Sequence, residues 1–583
     1  KHGKLRQETF DYVVVGAGSG GSAAAAALAA HDSRPSVLLL DAGDWDRAAE
    51  YWGSTIVNRS MNHWERPVWW FVRSAPPFRR HTEMGAYVKA ARALGGGSAV
   101  NKGLHWRGGI AEFAEAFHWP EELVSDAYSR LHASLQDGAS ARRLVAPVLY
   151  TNDRGKLPVF LDRLVQAFED SGVPHHSDPH HGGPLTLHGV HSGTWLSLAC
   201  PPDAVDASGR VKGAEHLLRC ARQTSYSGLV APRNRSLRNL VVRPASFALQ
   251  LLWSQDSRSH AAAGEAPLRA EAVEVLELNT KAFKESPLGE ALQAAQLGED
   301  WGSHLTQRYV AGARKAVVLA AGAFGTPTLL LRSGVGPRDA VEQLGEHSLR
   351  LERNGVGAGL RDRVAMSTLL GTSTECSPLH FRATEVPVLF AFFNFSAPNQ
   401  AGALGPLEAE LNVLDGCMEG YMTTSLRFIL QRTENAGRLH IGSQHPFVAA
   451  QAEYRTTSND VENMARLVRW FHKHVVMHPA VRDHVHSVVP DENTLADDRK
   501  LHGFIRANSE WYLHPTGTLS TDNVLDDRLR LRGAGNVAVA DGSVLPGSVP
   551  TGHPDVAIRM LGEVVANMLM EDVELMGQPS GRK

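Results

Sequence analysis

The segment that most restricts what this chain can fold into sits close to its start. Tyr12 to Val15 is a short apolar run that feeds directly into Gly16-Ala17-Gly18-Ser19-Gly20-Gly21. Ser22 and an alanine-rich stretch from Ala23 to Ala30 follow. Gly16, Gly18 and Gly21 therefore fit G-x-G-x-x-G between an expected strand and an expected helix, the context the pattern requires. The first glycine permits the tight turn, the second lets a pyrophosphate approach the backbone, and the third lets helix and strand pack closely. The helix N-terminus beginning near Ser19 offers free N–H groups and a positive dipole end to phosphate. A second strand is expected over Ser36–Leu40, ending in Asp41. Asp41 stands 20 residues after Gly21, where a carboxylate can accept hydrogen bonds from a ribose. These features predict a nucleotide-binding βαβ unit. They do not separate NAD from FAD.

The remaining constraints are mostly exclusions. At 583 residues the chain is too long for one core, so two or more domains are expected. A formal net charge of −3 gives no support for a nucleic-acid partner, which needs a basic face. No run of about 18 apolar residues occurs, so no transmembrane segment is expected. The cysteines Cys200, Cys220, Cys376 and Cys417 are widely spaced and form no CxxC pair, which argues against a zinc site or a dense disulfide framework. Free, mostly buried thiols are the expectation. His175-His176 and His180-His181 lie in a turn-rich stretch without converging carboxylates or cysteines, which predicts a solvated loop rather than a metal site. The compartment stays open: a soluble protein, organellar or secreted after loss of a leader ahead of Lys1, fits, and the sequons at Asn58, Asn234 and Asn394 do not decide it.

Three later blocks narrow the reading. Arg92-Ala93-Leu94-Gly95-Gly96-Gly97-Ser98-Ala99-Val100-Asn101 continues to Arg107-Gly108. Ala316 to Pro327 reads AVVLAAGAFGTP, with LLLRSGVGP behind it and Gly355 to Arg363 (GVGAGLRDR) soon after. The C-terminal block holds Trp511-Tyr512-Leu513-His514-Pro515-Thr516-Gly517-Thr518, then Asn536 to Pro546 (NVAVADGSVLP), then Gly552-His553-Pro554 before a closing helix from Asp555 to about Met570. In type and order these resemble the motifs of the glucose–methanol–choline oxidoreductases, and they span about residues 10 to 570. GRLHIGSQHP from Gly437 and the helical pattern after it fit as well. Arg363, where relatives commonly carry His, and Leu519-Ser520, where they often have Cys-x-Met, are departures.

The resemblance implies an α/β plus α+β protein. A Rossmann-like FAD-binding domain would be built from 8–150, 205–345 and 525–575. A substrate domain from 151–204 and 346–524 would hold an antiparallel sheet covered by helices. It implies FAD, held by Gly16, Gly18, Ser19, Gly21, Asp41, Ala42, Gly95, Gly96, Gly97, Ser98, Asn101, Ala321, Gly322, Asp541, Gly542, His553 and Pro554. Val100 stands where some relatives carry the histidine that bonds FAD covalently, so non-covalent FAD is expected. His514 matches the catalytic histidine and His553 its partner. Histidine titrates near working pH and suits removal of a hydroxyl proton while hydride leaves for flavin N5. The partners implied are a small-molecule alcohol and O2 or another electron acceptor; protein partners are not indicated. Ser254 to Gln307 reads as a surface insertion. Phe390, Phe392 and Phe393 are candidates for an apolar pocket, with core packing as the plainer role. Two other functions stay open: a non-catalytic structural or assembly homologue, favoured by the departures, and a light-driven fatty-acid decarboxylase. His514 opposes both, and Gln431 stands roughly where the second would carry a cysteine.

Overall fold

The computed structural model describes residues 6–43, 69–74, 87–101, 105, 107–136, 143–145, 159–176, 189–191, 198–204, 216, 220–254, 268–279, 305–345, 349–375, 389–395, 407–418, 421–434, 436–442, 450–453, 456–520, 523–547, 549 and 553–577. In chain order the elements that position the site are β1 (Arg6–Val15), α1 (Ser19–Ala30), β2 (Val37–Leu40), the single turn α2 (Gly97–Val100), α3 (Glu121–Gln136), α4 (Val159–Asp170), β3 (Leu240–Arg243), β4 (Ser246–Trp253), β5 (Ala270–Leu278), β6 (Leu305–Leu319), α5 (Gly322–Arg332), β7 (Val364–Glu375), β8 (Leu389–Phe395), β9 (Leu407–Met418), β10 (Tyr421–Leu430), α6 (Ser458–Phe471), β11 (Val485–Val488), α7 (Asp498–Asn508), β12 (Ser509–Trp511), β13 (Ala534–Val539) and α8 (Asp555–Gly577).

The first sheet follows the order β3-β2-β1-β6-β5-β4, with β13 paired to the end of β6. Strands β3, β2, β1, the second half of β6 and β13 run parallel. Tyr12–Val15, Val37–Leu40, Val317–Leu319 and Val537–Val539 are all buried. Such continuous apolar runs are what strands covered on both faces require. The register places Val15 beside Leu40 and Leu319, and Leu319 beside Val539. Four C-terminal strand ends therefore meet at one edge, where ligands bind in open α/β sheets.

The segment Ser254–Gln307, expected as a surface insertion, contains β5. This strand pairs antiparallel with β4 and with the first half of β6. Val273 and Val275 are buried in the main core. The alternating AEAVEVLEL run carries the strand signal, which the Gly-, Ala- and Ser-rich residues before it obscured. The cysteine expectation also needs correcting, because Cys200 and Cys220 form a disulfide. Spacing alone does not report pairing of two residues that the fold brings together. His175-His176 pairs with Gly189–His191 as a short strand, while His180-His181 lies outside the described residues.

The second sheet is antiparallel along β11-β7-β10-β9-β8, with β12 on β7 and Gly189–His191 on β8. Helices α4, α6 and α7 contribute Phe160, Phe168, Met464, Phe471 and Ile505 to the cluster that also holds Met366, Leu411 and Phe428 from the sheet. Phe390, Phe392 and Phe393 lie on β8; their side chains are outside the described residues. Among the described residues no helix is long and apolar enough to cross a membrane.

Helix α8 packs on α1 with almost no space between them. A Cβ on Gly562 would fall 2.2 Å from the Gly20 carbonyl oxygen and 2.8 Å from Ala23 Cβ. This contact holds the last helix against the glycine-loop helix. One residue on, Glu563 is buried, and burial pushes its carboxyl up to about 7 against the pull of Arg130 and Arg233. The folded state therefore keeps this proton while the unfolded chain gives it up, so stability falls as pH rises from about 4.5 to about 7. Glu563→Gln should remove that slope. Melting temperatures across pH 4–8 should show the variant gaining on the wild type through this window, by on the order of 3 kcal/mol at its top.

Candidate functional site

The residues that leave the parallel strands at their C-terminal edge are bonded to the neighbouring strand ends. Gly16 donates its N–H to the Leu40 carbonyl at 2.7 Å, and Ala320 and Ala540 donate theirs to Val15 and Leu319 at 2.8 Å each. Gly16 has φ +101°, and a Cβ there would sit 2.3 Å from the Ala320 oxygen, so only glycine fits. Gly18 precedes α1 without a side-chain cap, leaving the first N–H groups of that helix open to an anion. Gly21, Ser22 and Ala23 bury the start of α1.

The loop carrying Gly95, Gly96, Gly97 and Ser98 closes over this turn. Gly95 N–H donates to the Ala17 carbonyl at 2.8 Å, and Ser98 hydroxyl to the Gly95 carbonyl at 2.6 Å. Asn101 N–H caps α2 on the Gly97 carbonyl at 2.8 Å. A Cβ on Gly97 or on Gly322 would meet nothing within 4 Å. The glycine-rich loop and the turn at Gly18 lie close enough that a Cβ on Gly96 would fall 2.7 Å from Gly18 Cα, while Gly97 and Gly322 face open space.

Carboxylates brace these loops. Asp41 accepts N–H groups from Ala17 at 2.7 Å and Gly43 at 2.6 Å, flanking Ala42. Burial raises it to about 6, against those bonds and the charge of Arg92. Asp541 accepts from Gly322 N–H at 2.9 Å, Thr326 hydroxyl at 2.5 Å and Ser543 N–H at 2.8 Å. Its pKa is raised by burial and pulled back by those donors. Ala321 N–H donates to Thr326 Oγ1 at 3.0 Å. Ser19 hydroxyl donates to Asp555, whose other oxygen accepts from the fully buried Arg559 at 2.6 Å. Sequence reading missed Asp555 and Arg559: 536 residues separate Ser19 from Asp555, and only the α1–α8 contact joins them.

The two motif histidines come together. His514 and His553 have ring centroids 5.5 Å apart with planes at 80°. Tyr512 stands edge-on to His514 at 4.6 Å and tilted to His553 at 5.9 Å. Arg427 lies over the Tyr512 ring at 4.8 Å and pairs with Glu510. His553 is buried and His514 half-buried; Pro554, next in the chain, accepts the Ile558 N–H that starts α8. The loop bearing His514 rests on the parallel-sheet edge. Gly517 N–H donates to the Gly542 carbonyl at 3.1 Å, Leu519 N–H to Ser543 at 2.8 Å, and Thr518 hydroxyl to Ala323 at 2.7 Å. The loop that carries His514 is thereby fixed to the strand end that carries Asp541 and to the start of α5.

The backbone that aims His514 is irregular. Strand β12 pairs with β7 through Val364 opposite Trp511, and Tyr512 N–H still donates to the Arg363 carbonyl at 3.0 Å. The next pair is Arg361 with Thr516, so Leu513, His514 and Pro515 all oppose Asp362. Leu513 has φ +63° and is exposed, a left-handed conformation costing a leucine roughly 1–2 kcal/mol. The Asp362 carboxylate fills the broken ladder. Its Oδ1 accepts His514 N–H at 2.9 Å and Arg363 N–H at 2.7 Å. Burial lifts Asp362 to about 7, against hydrogen bonds from His514, Arg363 and Leu513 backbone and the Arg363 charge. Arg363 is buried and donates Nε–H to Gln431 Oε1 at 2.9 Å.

Comparison with known proteins agrees in kind. Family models described as GMC oxidoreductase match residues 296–365, for the N-terminal part, and 433–562, for the C-terminal part. Choline oxidase of Arthrobacter globiformis is 24% identical, with 97% of this chain and 95% of the relative covered. Pyridoxine 4-oxidase of Microbacterium luteolum is 24% identical, covering 95% and 98%. The solved structure of a formate oxidase variant from Aspergillus oryzae superposes with a TM-score of 0.70 at 18% identity, covering 98% of this chain and 99% of that one.

Asp541→Ala should strand the N–H groups of Gly322 and Ser543 and the Thr326 hydroxyl inside the protein. A loss of roughly 3 kcal/mol is expected. A lowered melting temperature, together with nucleotide lost on gel filtration, checks it; an unchanged melting temperature contradicts it.

Proposed function

Because the chain belongs to the glucose–methanol–choline oxidoreductase family of FAD-dependent enzymes, we propose that it oxidises a small-molecule alcohol to a carbonyl compound and passes the electrons to O2 or another acceptor. The observation that carries this reading is the His514–His553 pair, 5.5 Å between centroids, with His514 on a loop bonded to the strand edge at Gly542 and Ser543 and His553 at the start of α8. Relatives named for oxidising choline and pyridoxine support it.

The residues fit the cofactor. Gly16, Gly18, Ser19 and Gly21 would take the pyrophosphate at the open end of α1. Asp41 and Ala42 would face the adenosine side. Gly95, Gly96, Gly97, Ser98 and Asn101 would lie along one side, with Ala321, Gly322, Asp541, Gly542, His553 and Pro554 along the other. Val100 is buried and offers no nucleophile, so FAD is held non-covalently. Bound FAD supplies the hydride acceptor at N5.

The chain supplies the proton chemistry. His514 accepts the hydroxyl proton as the carbinol hydrogen departs as hydride. His553 hydrogen-bonds the substrate oxygen and stabilises the negative charge that develops there. Tyr512, in contact with both rings, limits how far either can turn.

The test is an absorption spectrum of the purified protein, followed by a panel of alcohols added without oxygen. An oxidised-flavin spectrum that one alcohol class bleaches is expected. His514→Ala should slow that bleaching by about 10²–10⁴-fold with FAD content unchanged. Flavin that no alcohol bleaches, or a protein that takes up no FAD, overturns the reading.

A further inference from the structure

We propose that Asp362 is a positioning residue for His514, acting through its carboxylate on the backbone of the turn that carries the imidazole. The inference rests on the reading of His514 as the proton acceptor. Between Val364–Trp511 and Arg361–Thr516 the two chains fall out of step: one residue, Asp362, stands opposite three, Leu513 to Pro515. A bulge of this kind re-aims a side chain by breaking the ladder. Here the break sits directly at His514.

Left alone, such a turn would relax. Leu513 is held at φ +63°, which a leucine does not choose, and Pro515 has no N–H to offer. Asp362 supplies an acceptor inside the turn, with Oδ1 on His514 N–H at 2.9 Å.

The carboxylate is itself fixed. Arg363 N–H donates to Oδ1 at 2.7 Å, Thr433 hydroxyl donates to the Asp362 carbonyl at 3.2 Å, and Arg363 Nε–H is tied to Gln431 at 2.9 Å. Thr516 and Arg361 exchange both backbone bonds, at 2.9 and 3.0 Å, which pins the far side of the turn. Between the backbone bonds of Tyr512 and of Thr516, His514 itself is tied to this side of the sheet through the Asp362 carboxylate. The imidazole's direction depends on it, although Asp362 need touch neither substrate nor cofactor.

The experiment compares Asp362→Ala, Asp362→Asn, Asp362→Ala/Leu513→Gly and His514→Ala as FAD-loaded proteins, reading anaerobic flavin bleaching against alcohol concentration. Asp362→Ala should keep its flavin spectrum and lose roughly tenfold to a hundredfold in limiting rate, with little change in half-saturating concentration. Asp362→Asn should recover most of the rate, because the amide oxygen still accepts the His514 and Arg363 N–H groups that share Oδ1. Leu513→Gly should restore part of the rate to the alanine variant, since glycine takes the left-handed turn without strain. An alanine variant at wild-type rate overturns the proposal, as does an asparagine variant as slow as alanine. If Asp362→Ala alone does not hold FAD, the double variant decides: flavin-loaded and active supports the proposal, and flavin-loaded and inactive, or flavin-free, overturns it. His514→Ala separates the two ideas. If it bleaches normally, the reading of His514 fails; if it is slow while Asp362→Ala is fast, only the positioning role fails.

Discussion

Parallel pairing of β2, β1, β6 and β13 brings four strand ends to one edge, and the site depends on that register. A slip of one residue would separate Gly16 N–H from the Leu40 carbonyl and Ala320 N–H from the Val15 carbonyl, and the strand ends would no longer meet. With the ends aligned, Gly16, Asp41, Ala320 and Ala540 leave their strands within hydrogen-bonding distance of neighbouring strand ends. Each loop then braces another. Asp41 holds Ala17, Gly95 holds Ala17 from the other side, and Asp541 ties the start of α5 to the turn after β13.

The antiparallel sheet contributes the second half of the site by a different device. β12 begins as a regular partner of β7 and then departs from it at Leu513, so that His514 leaves the sheet as the chain crosses to the strand edge at Gly542 and Ser543. His553 arrives from the opposite direction, at the start of α8. That helix is held on α1 by a contact tight enough to exclude any side chain at Gly562. The same contact joins Ser19, Asp555 and Arg559. One helix thus links the glycine loop to one of the two imidazoles.

Much of this was legible in the sequence where the physics is local. G-x-G-x-x-G between an apolar strand and an alanine helix states its own geometry, and Val317–Ala320 reads as a strand buried on both faces. His514 and His553 stood out from 28 histidines only through their motif surroundings. What was not legible depends on residues far apart in the chain. Asp362 lies 152 residues before His514, and nothing in GLRDR announces that its carboxylate replaces a ladder bond. The pairing of Cys200 with Cys220 gave no spacing signal. β5 was hidden because the residues around it look like a surface loop, although its own alternation is that of a strand.

The proposed role of His514 and His553 is in hydride removal from a carbinol carbon to bound FAD. It is tested most directly by single-turnover flavin bleaching without oxygen, using the best alcohol of a panel in protiated form and with deuterium on the carbinol carbon. The deuterated alcohol should bleach the flavin several-fold more slowly at saturation, because that C–H bond breaks in the step observed. Flavin bleached at the same rate by both forms, or not bleached by any alcohol, would contradict it.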